Sequence, residues 1–381
     1  MDAALTIGTV LGESYRLVRP LAQGGCGDVY VARHERLGSE VAVKVLHPSL
    51  AGNAQALARL RQEADIMSAV RHPHIVQILD FDVTERGVPF LVMELLEGRP
   101  LTGGPSSGVP LDPRAALHII EQIAQALAAA HAHGIVHLDL KPDNVILVPT
   151  DGRDDFVKVI DFGISRASWR ARPDNEPLIT GTPEYMAPEQ AQGVNDQIDH
   201  RTDQFALASL SYRLLTGYEP FAGGEPAVIL HQVVNQTPPP PSKWATWLGP
   251  GVDAVIDRGM SKRSAERYPD VAAFTEALSG AIDAIAVDRR GFSREPSQPA
   301  EYSQPPARQA EPDTLQFLRK IRTPVPRRKV RALLFALVAA AIVWFVPASR
   351  DAARTAWQRA DAGARSLVIK GRTFAGGAPV R

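Results

Sequence analysis

The sequence predicts an α+β fold in two parts, strands first and helices after. Three observations carry this reading. Alternating or apolar runs rich in valine and leucine, at residues 15–21, 40–46 and 90–96, occupy the first quarter of the chain. Helical spacing takes over after Asp112. Between the later helices lie short apolar runs that end in acids, and a charge at the edge of a buried segment needs a purpose because unpaired burial is costly.

Bulk numbers suit a folded protein. The 381 residues are enough for a two-lobed domain with an extension. Hydrophobic residues make up 45% and charged residues 22%, ordinary for a globular chain. The formal net charge of zero gives no reason to expect nucleic acid as a partner. The single cysteine, Cys26, excludes an internal disulfide framework and fits a reducing compartment. Residues 1–9 lack the basic start and long apolar core of a secretory signal.

Residues 15–21 read as a strand entering a turn. The turn is Ala22-Gln23-Gly24-Gly25-Cys26-Gly27-Asp28-Val29. Its glycines would let backbone amides approach a triphosphate, although an ordinary hairpin turn has the same composition. Cys26 is most simply a small filler at the tip. Residues 40–46 alternate and form a strand that holds Lys44, which taken alone is a residue on a solvated face. Leu57, Leu60, Ala64, Met67 and Val70 mark a helix over 54–70, with Glu63 on it. His72 and His74 flank Pro73, but no acid or thiol completes a metal site there. Residues 90–98 are a buried strand running into Gly98, and 102–110 are a Gly, Pro and Ser-rich loop. Asp112 is placed to cap a helix through Leu117, Ile120, Ala124 and Leu127 to His133, with Gly134 as its stop. That spacing is core, and His131 and His133 read as helix-end residues.

Residues 135–147 put Asp139, Lys141 and Asn144 between two apolar runs, each of which reads as a buried strand or core segment. An aspartate can take a proton from an attacking hydroxyl, a lysine can neutralise a phosphate, and an asparagine oxygen can ligate a hard cation. After a short turn, residues 157–163 form a second buried strand ending in Asp161-Phe162-Gly163.

These segments resemble the catalytic loop and the Asp-Phe-Gly of eukaryotic-type bacterial serine/threonine protein kinases, a motif set with known mechanics. The resemblance covers roughly residues 15 to 280. It implies a two-lobed kinase fold, with a β-rich lobe over 15–96, a helical lobe over 97–280 and an N-terminal extension over 1–14. It implies ATP and magnesium or manganese as cofactors, and protein serine or threonine hydroxyls as acceptors. Asp139 would orient and deprotonate the hydroxyl, Lys141 would steady the γ-phosphate, and Asn144 and Asp161 would hold the metal. Lys44 would meet the α- and β-phosphates and pair with Glu63. Ala22, Gly24 and Gly27 would cover the phosphates, Val29 would pack on the adenine, and Ala42 and Ile146 would also bind ATP. Met93 would be the gatekeeper, and the backbone of Glu94 and Leu96 would bond the base. Thr182 would bond Asp139 and Lys141 in substrate docking, and Thr180 and Ser168 are autophosphorylation candidates. His137 would be the buried histidine of the catalytic loop, Glu189 would pair with Arg267, and Asp203, by itself a plausible helix cap, would anchor the loop backbone.

The chain departs from the family pattern at two positions. Ala22 stands where the first loop glycine is usual, which implies a stiffer loop. Leu138 stands where most such kinases have an arginine that pairs with a phosphorylated activation segment. With leucine there, activity need not wait for that phosphorylation, and Asp174 and Glu176 already charge the segment. These departures speak for a rival reading, a pseudokinase or nucleotide-binding scaffold; the intact Lys44, Glu63, Asp139, Asn144 and Asp161 speak against it. A small-molecule phosphotransferase of similar fold is the second rival, and the Ala-Pro-Glu segment at 187–189 argues against that.

Beyond the domain, residues 281–331 read as a flexible linker in which Pro, Gln, Glu, Ser and Arg dominate, with one helical patch at Leu315, Phe317, Leu318 and Ile321. Seven basic residues lie between Arg319 and Arg331, and residues 332–348 then carry no charge. That length is near the minimum for a membrane span, and Trp344 and Phe345 suit an interface. The expectation is a single-pass protein of the cell (inner) membrane, its kinase domain cytoplasmic because ATP is there, its tail 349–381 outside. Dimerisation is compatible with this layout.

Overall fold

The computed structural model describes residues 6–24, 27–46, 54–101, 109–162 and 182–291. Cys26, Ser168, Asp174, Glu176, Thr180, most of the 102–110 loop, the linker beyond Gly291, the 332–348 segment and the tail lie outside the described residues.

Valine-rich alternation builds the first lobe. β1 (Val10–Leu11), β2 (Tyr15–Gly24), β3 (Gly27–His34), β4 (Glu40–Leu46), β5 (Ile78–Val83) and β6 (Pro89–Glu94) form an antiparallel sheet in the order β1-β2-β3-β4-β6-β5. β1 lies in the stretch expected as an extension; its Leu11 joins the lobe core with Tyr15, Leu17, Tyr30, Phe90 and Val92. Side chains alternate across a strand. Val41, Val43 and Val45 of β4 therefore enter that core, while Ala42 and Lys44 face the opposite side. α1 (Ala54–Ala69), which ends one residue short of the expected helix, lies on β5.

The second lobe is helical with a small sheet of β7 (Arg99–Pro100), β8 (Val145–Thr150) and β9 (Arg153–Val159). Its helices are α2 (Pro113–His131), α3 (Pro188–Ala191), α4 (His200–Thr216), α5 (Pro226–Asn235), α6 (Pro250–Gly259) and α7 (Val271–Gly291). α7 continues past the expected domain end at 280. Asp112 caps α2 as expected, its Oδ1 accepting from the amides of Arg114 at 2.9 Å and Ala115 at 3.3 Å. The alanine-rich face of α2 lies against α4, α7 and β9. α4 is buried over most of its length, polar residues such as Thr202, Asp203 and Gln204 included. Its buried Ser209 and Ser211 hydroxyls donate back to the carbonyls of Phe205 and Leu207. Gly259 lets α6 approach: a Cβ there would sit 2.9 Å from both Ala208 and the Phe274 ring.

Of the two readings of residues 135–140, buried strand or core segment, the core segment holds: Ile135, Val136 and Leu140 are buried without forming a strand. Leu138 has φ 66°, a left-handed conformation that ends any extended run. The cap of α4 is Asp199, which accepts from the Arg201 amide at 2.7 Å; Asp203 lies inside the helix and is buried.

Candidate active site

Asp203 organises the loop from inside α4. Its Oδ1 accepts the Leu138 amide at 2.9 Å, and its Oδ2 accepts the His137 amide at 2.8 Å. His131 Nε2 donates to the same Oδ2 at 2.7 Å, so this histidine at the end of α2 is also part of the anchor. Burial pushes the Asp203 carboxyl upward, but the hydrogen bond and charge of His131, with His137 and the Leu138 amide, outweigh it and hold the group below its ordinary range.

His137 is buried as expected, and its partners define its tautomer. The Asp139 amide donates to Nδ1 at 3.2 Å, so Nε2 carries the proton and donates to the Ile160 carbonyl at 3.0 Å. The ring packs on Phe162 with centroids 4.6 Å apart. One neutral imidazole thus ties the Asp139 loop to the strand end that carries Asp161.

The Asp139 carboxylate is half-buried at the loop tip. Lys141 Nζ reaches its Oδ2 at 3.0 Å and Asn144 Nδ2 reaches it at 3.2 Å. Asn144 Nδ2 also donates to the Asp139 carbonyl at 2.7 Å. With that nitrogen committed, the Asn144 side-chain oxygen is its remaining ligating atom. Asp161, at φ 65°, binds Lys44 Nζ across the cleft at 2.8 Å. The oxygens of Asn144 and Asp161 would hold a hard cation, and the ammonium groups of Lys44 and Lys141 beside them would offset phosphate charge. Among the described residues no cluster of three or more His, Cys, Asp or Glu side chains forms a metal cage by itself. His74 serves the fold: its Nδ1 bonds the Val157 carbonyl at 2.9 Å and its ring lies on Phe156.

These groups line one cleft of about 600 Å³ between the lobes. Ala22, Gly27, Val29, Ala42 and Lys44 line it from the sheet, and Met93, Glu94 and Leu96 from the connecting strand. Ile146 and Asp161 line it from the helical lobe with Asp139, Lys141 and Asn144. Gly24 pairs with Gly27 where β2 meets β3. Gly27 has φ 145°, and a Cβ there would fall 2.2 Å from the Val45 carbonyl, so this position needs glycine for packing as well as for any ligand. The Glu94 amide donates to the Gln77 carbonyl at 3.0 Å, and the Glu94 carboxylate takes Lys158 Nζ at 2.7 Å. Base recognition at Glu94 therefore falls to its carbonyl. Sequence reading gave no site role to Val76, Asp143 and Ile160 on the cleft walls; Asp143 lies within the Asp139–Asn144 motif, while Val76 and Ile160 are apolar and look like any core residue.

Lys44 Nζ meets Asp161 at 2.8 Å, and Glu63 lines a small apolar cavity with Leu60, Met67, Leu91 and Phe162. One predicted residue stands differently from expectation. Thr182 precedes the turn at Pro183–Tyr185, and its hydroxyl bonds neither Asp139 nor Lys141 among the described residues. The Asp139 Oδ2 that it would meet already receives Lys141 and Asn144.

The segment after Thr182 is tied down at several points. Glu189 and Arg267 form the expected buried pair, with two parallel contacts at 2.8 Å, and Thr202 adds a hydroxyl at 2.9 Å. The Tyr185 hydroxyl donates to Glu219 at 2.8 Å and accepts from Arg213 at 2.9 Å, while Arg213 also pairs with Glu219. Burial drives the Tyr185 phenol strongly upward, so it stays protonated as that donor.

Comparison with known proteins agrees with this geometry. The model of the family described as protein kinase domain matches residues 15–268. The serine/threonine-protein kinase Pkn1 of Myxococcus xanthus is 43% identical over 71% of this chain and 38% of its own length. PknB of Mycolicibacterium smegmatis is 34% identical over 83% of this chain and 50% of its own. The chain thus spans about half or less of the length of these relatives. The crystal structure of the Mycobacterium tuberculosis PknI kinase domain superposes with a TM-score of 0.57 at 26% identity, covering 73% of this chain and 100% of that domain.

Proposed function

We propose that this chain, which belongs to the protein kinase family, transfers the γ-phosphoryl group of ATP to serine and threonine hydroxyls of proteins. The observation that carries the reading is the convergence of Asp139, Lys141, Asn144, Asp161 and Lys44 on one cleft. Phosphoryl transfer asks a protein mainly for positioning and charge neutralisation. Asp139, held by Lys141 and Asn144, receives the proton of the acceptor hydroxyl. Lys44 and Lys141 neutralise phosphate oxygens from opposite walls. Asn144 and Asp161 are the residues that would hold magnesium, which when bound shields the phosphate charge.

The sequence features at 319–348 support a single-pass tether to the inner membrane with the kinase domain in the cytoplasm, and leave room for dimers. Leu138 supports activity that does not wait for phosphorylation of the activation segment. Thr180→Ala should therefore keep activity within about threefold of the parent. Initial-rate assay of the variant checks this, and complete loss would restore control by loop phosphorylation.

The deciding assay incubates the full-length protein with magnesium and labelled ATP, with and without a basic protein, beside Asp161→Ala. Label on serine or threonine that vanishes in the variant supports the kinase. Magnesium-dependent ATP binding without label would replace it with a nucleotide-binding scaffold.

A further inference from the structure

Leu138 carries the strained backbone of the catalytic loop. Its φ of 66° is unfavourable for any residue with a Cβ, and a branched aliphatic side chain offers no local hydrogen bond to offset it. Such a conformation persists only where its surroundings hold it. Asp203 holds the amide side of Leu138. The carbonyl side is held by a residue that neither the motif pattern nor the spacing marked. Gln190 Nε2, from α3, donates to the Leu138 carbonyl at 2.8 Å.

The same side chain is fixed at its other end. The Ala187 amide donates to Gln190 Oε1 at 3.1 Å. A single carboxamide, with its donor and acceptor both used, therefore spans from the end of the activation segment to the residue before Asp139. A lysine or arginine at 190 could not accept from Ala187, and an acid could not donate to Leu138. Leu138 itself has no cation with which to reach the segment. The connection between segment and catalytic loop runs through the main chain and this amide instead.

We propose that Gln190 is a positioning residue for phosphoryl transfer: its amide holds Leu138 in the left-handed conformation that aims Asp139, and it couples the substrate-docking segment to the catalytic loop without a phosphate. The proposal rests on the kinase reading above.

The test is a double-mutant cycle between Gln190→Glu and Leu138→Gly. Glutamate keeps the length and the acceptor for Ala187 but loses the donor to Leu138. Glycine adopts φ 66° without strain. Gln190→Glu should lower kcat about tenfold with the KM for ATP within about twofold. In the Leu138→Gly background the same change should cost less than about threefold. Urea unfolding of the same four proteins gives a readout that needs no catalysis, and Gln190→Glu should be less destabilising when residue 138 is glycine. Equal effects in both backgrounds, in rate and in unfolding, would overturn the positioning role and leave Gln190 a cap for α3. A parent without kinase activity would sink the kinase reading, and the unfolding cycle would still decide whether Gln190 holds Leu138.

Discussion

The floor and the roof of the cleft are built on different principles. On the floor, Asp139 is aimed by a chain of buried, fully used polar groups. Asp203 takes two backbone amides and His131, His137 takes one amide and gives one proton, and Glu189 with Arg267 closes the layer below. On the roof, Lys44 stands on a regular strand and has one described ion pair, to Asp161 across the gap. The floor has to deliver a proton acceptor to within a fraction of an ångström, so its geometry is over-determined. The roof has to admit and release a charged ligand, so its cation waits on a sheet that needs no ligand to fold.

Variants of floor and roof residues separate the two. Asp139→Asn should lower the transfer rate by roughly 10²–10⁴-fold while ATP affinity stays unchanged, measured by steady-state kinetics beside nucleotide titration. Unchanged activity would remove Asp139 from the chemistry. Arg267→Met strands Glu189 in the floor and should cost about 3–5 kcal/mol of unfolding free energy by urea titration. A loss below about 1 kcal/mol would show that the floor is not held by this pair.

Asp203→Asn should cost about 1–3 kcal/mol and change the acid limb of stability. The folded-state pKa of Asp203 lies below its unfolded value. Its contribution is therefore complete above the ordinary carboxylate range and is lost as pH falls through the lowered folded value. Unfolding measured from neutral to acid pH should lose part of its slope in the variant, and an unaltered slope would mean that other carboxylates set it. Smallest is the effect of Lys44→Met on stability, about 1 kcal/mol: Lys44 is buried, but methionine refills the space of its apolar stem and the carboxylate left behind, Asp161, keeps contact with the cleft. A larger loss by the same titration would mean that roof and floor depend on each other for folding.

Much of this site is legible in the linear chain. Lys44, Asp139, Asn144 and Asp161 sit in short contiguous motifs, and contiguity keeps their chemistry visible. The strands β2 and β4 and the helices α1 and α2 are legible from periodicity and from the Asp112 cap. Asp203 and the Glu189–Arg267 pair are legible only through resemblance, since each partner lies far along the chain.

The strand-then-helix order and the reactive groups can be read from the linear chain, because hydrophobic period and motif spacing are local properties. What aims those groups emerges when distant residues meet in the fold. Residues 135–140 read equally as strand or core segment; the contacts of Leu138 with Asp203 in α4 and Gln190 in α3, and its left-handed backbone, belong to the second. His131 looks like a helix end until α4 brings a carboxylate to its ring. A lone polar side chain carries no local sign of its partner. Its role appears when folding removes water and leaves one group within reach.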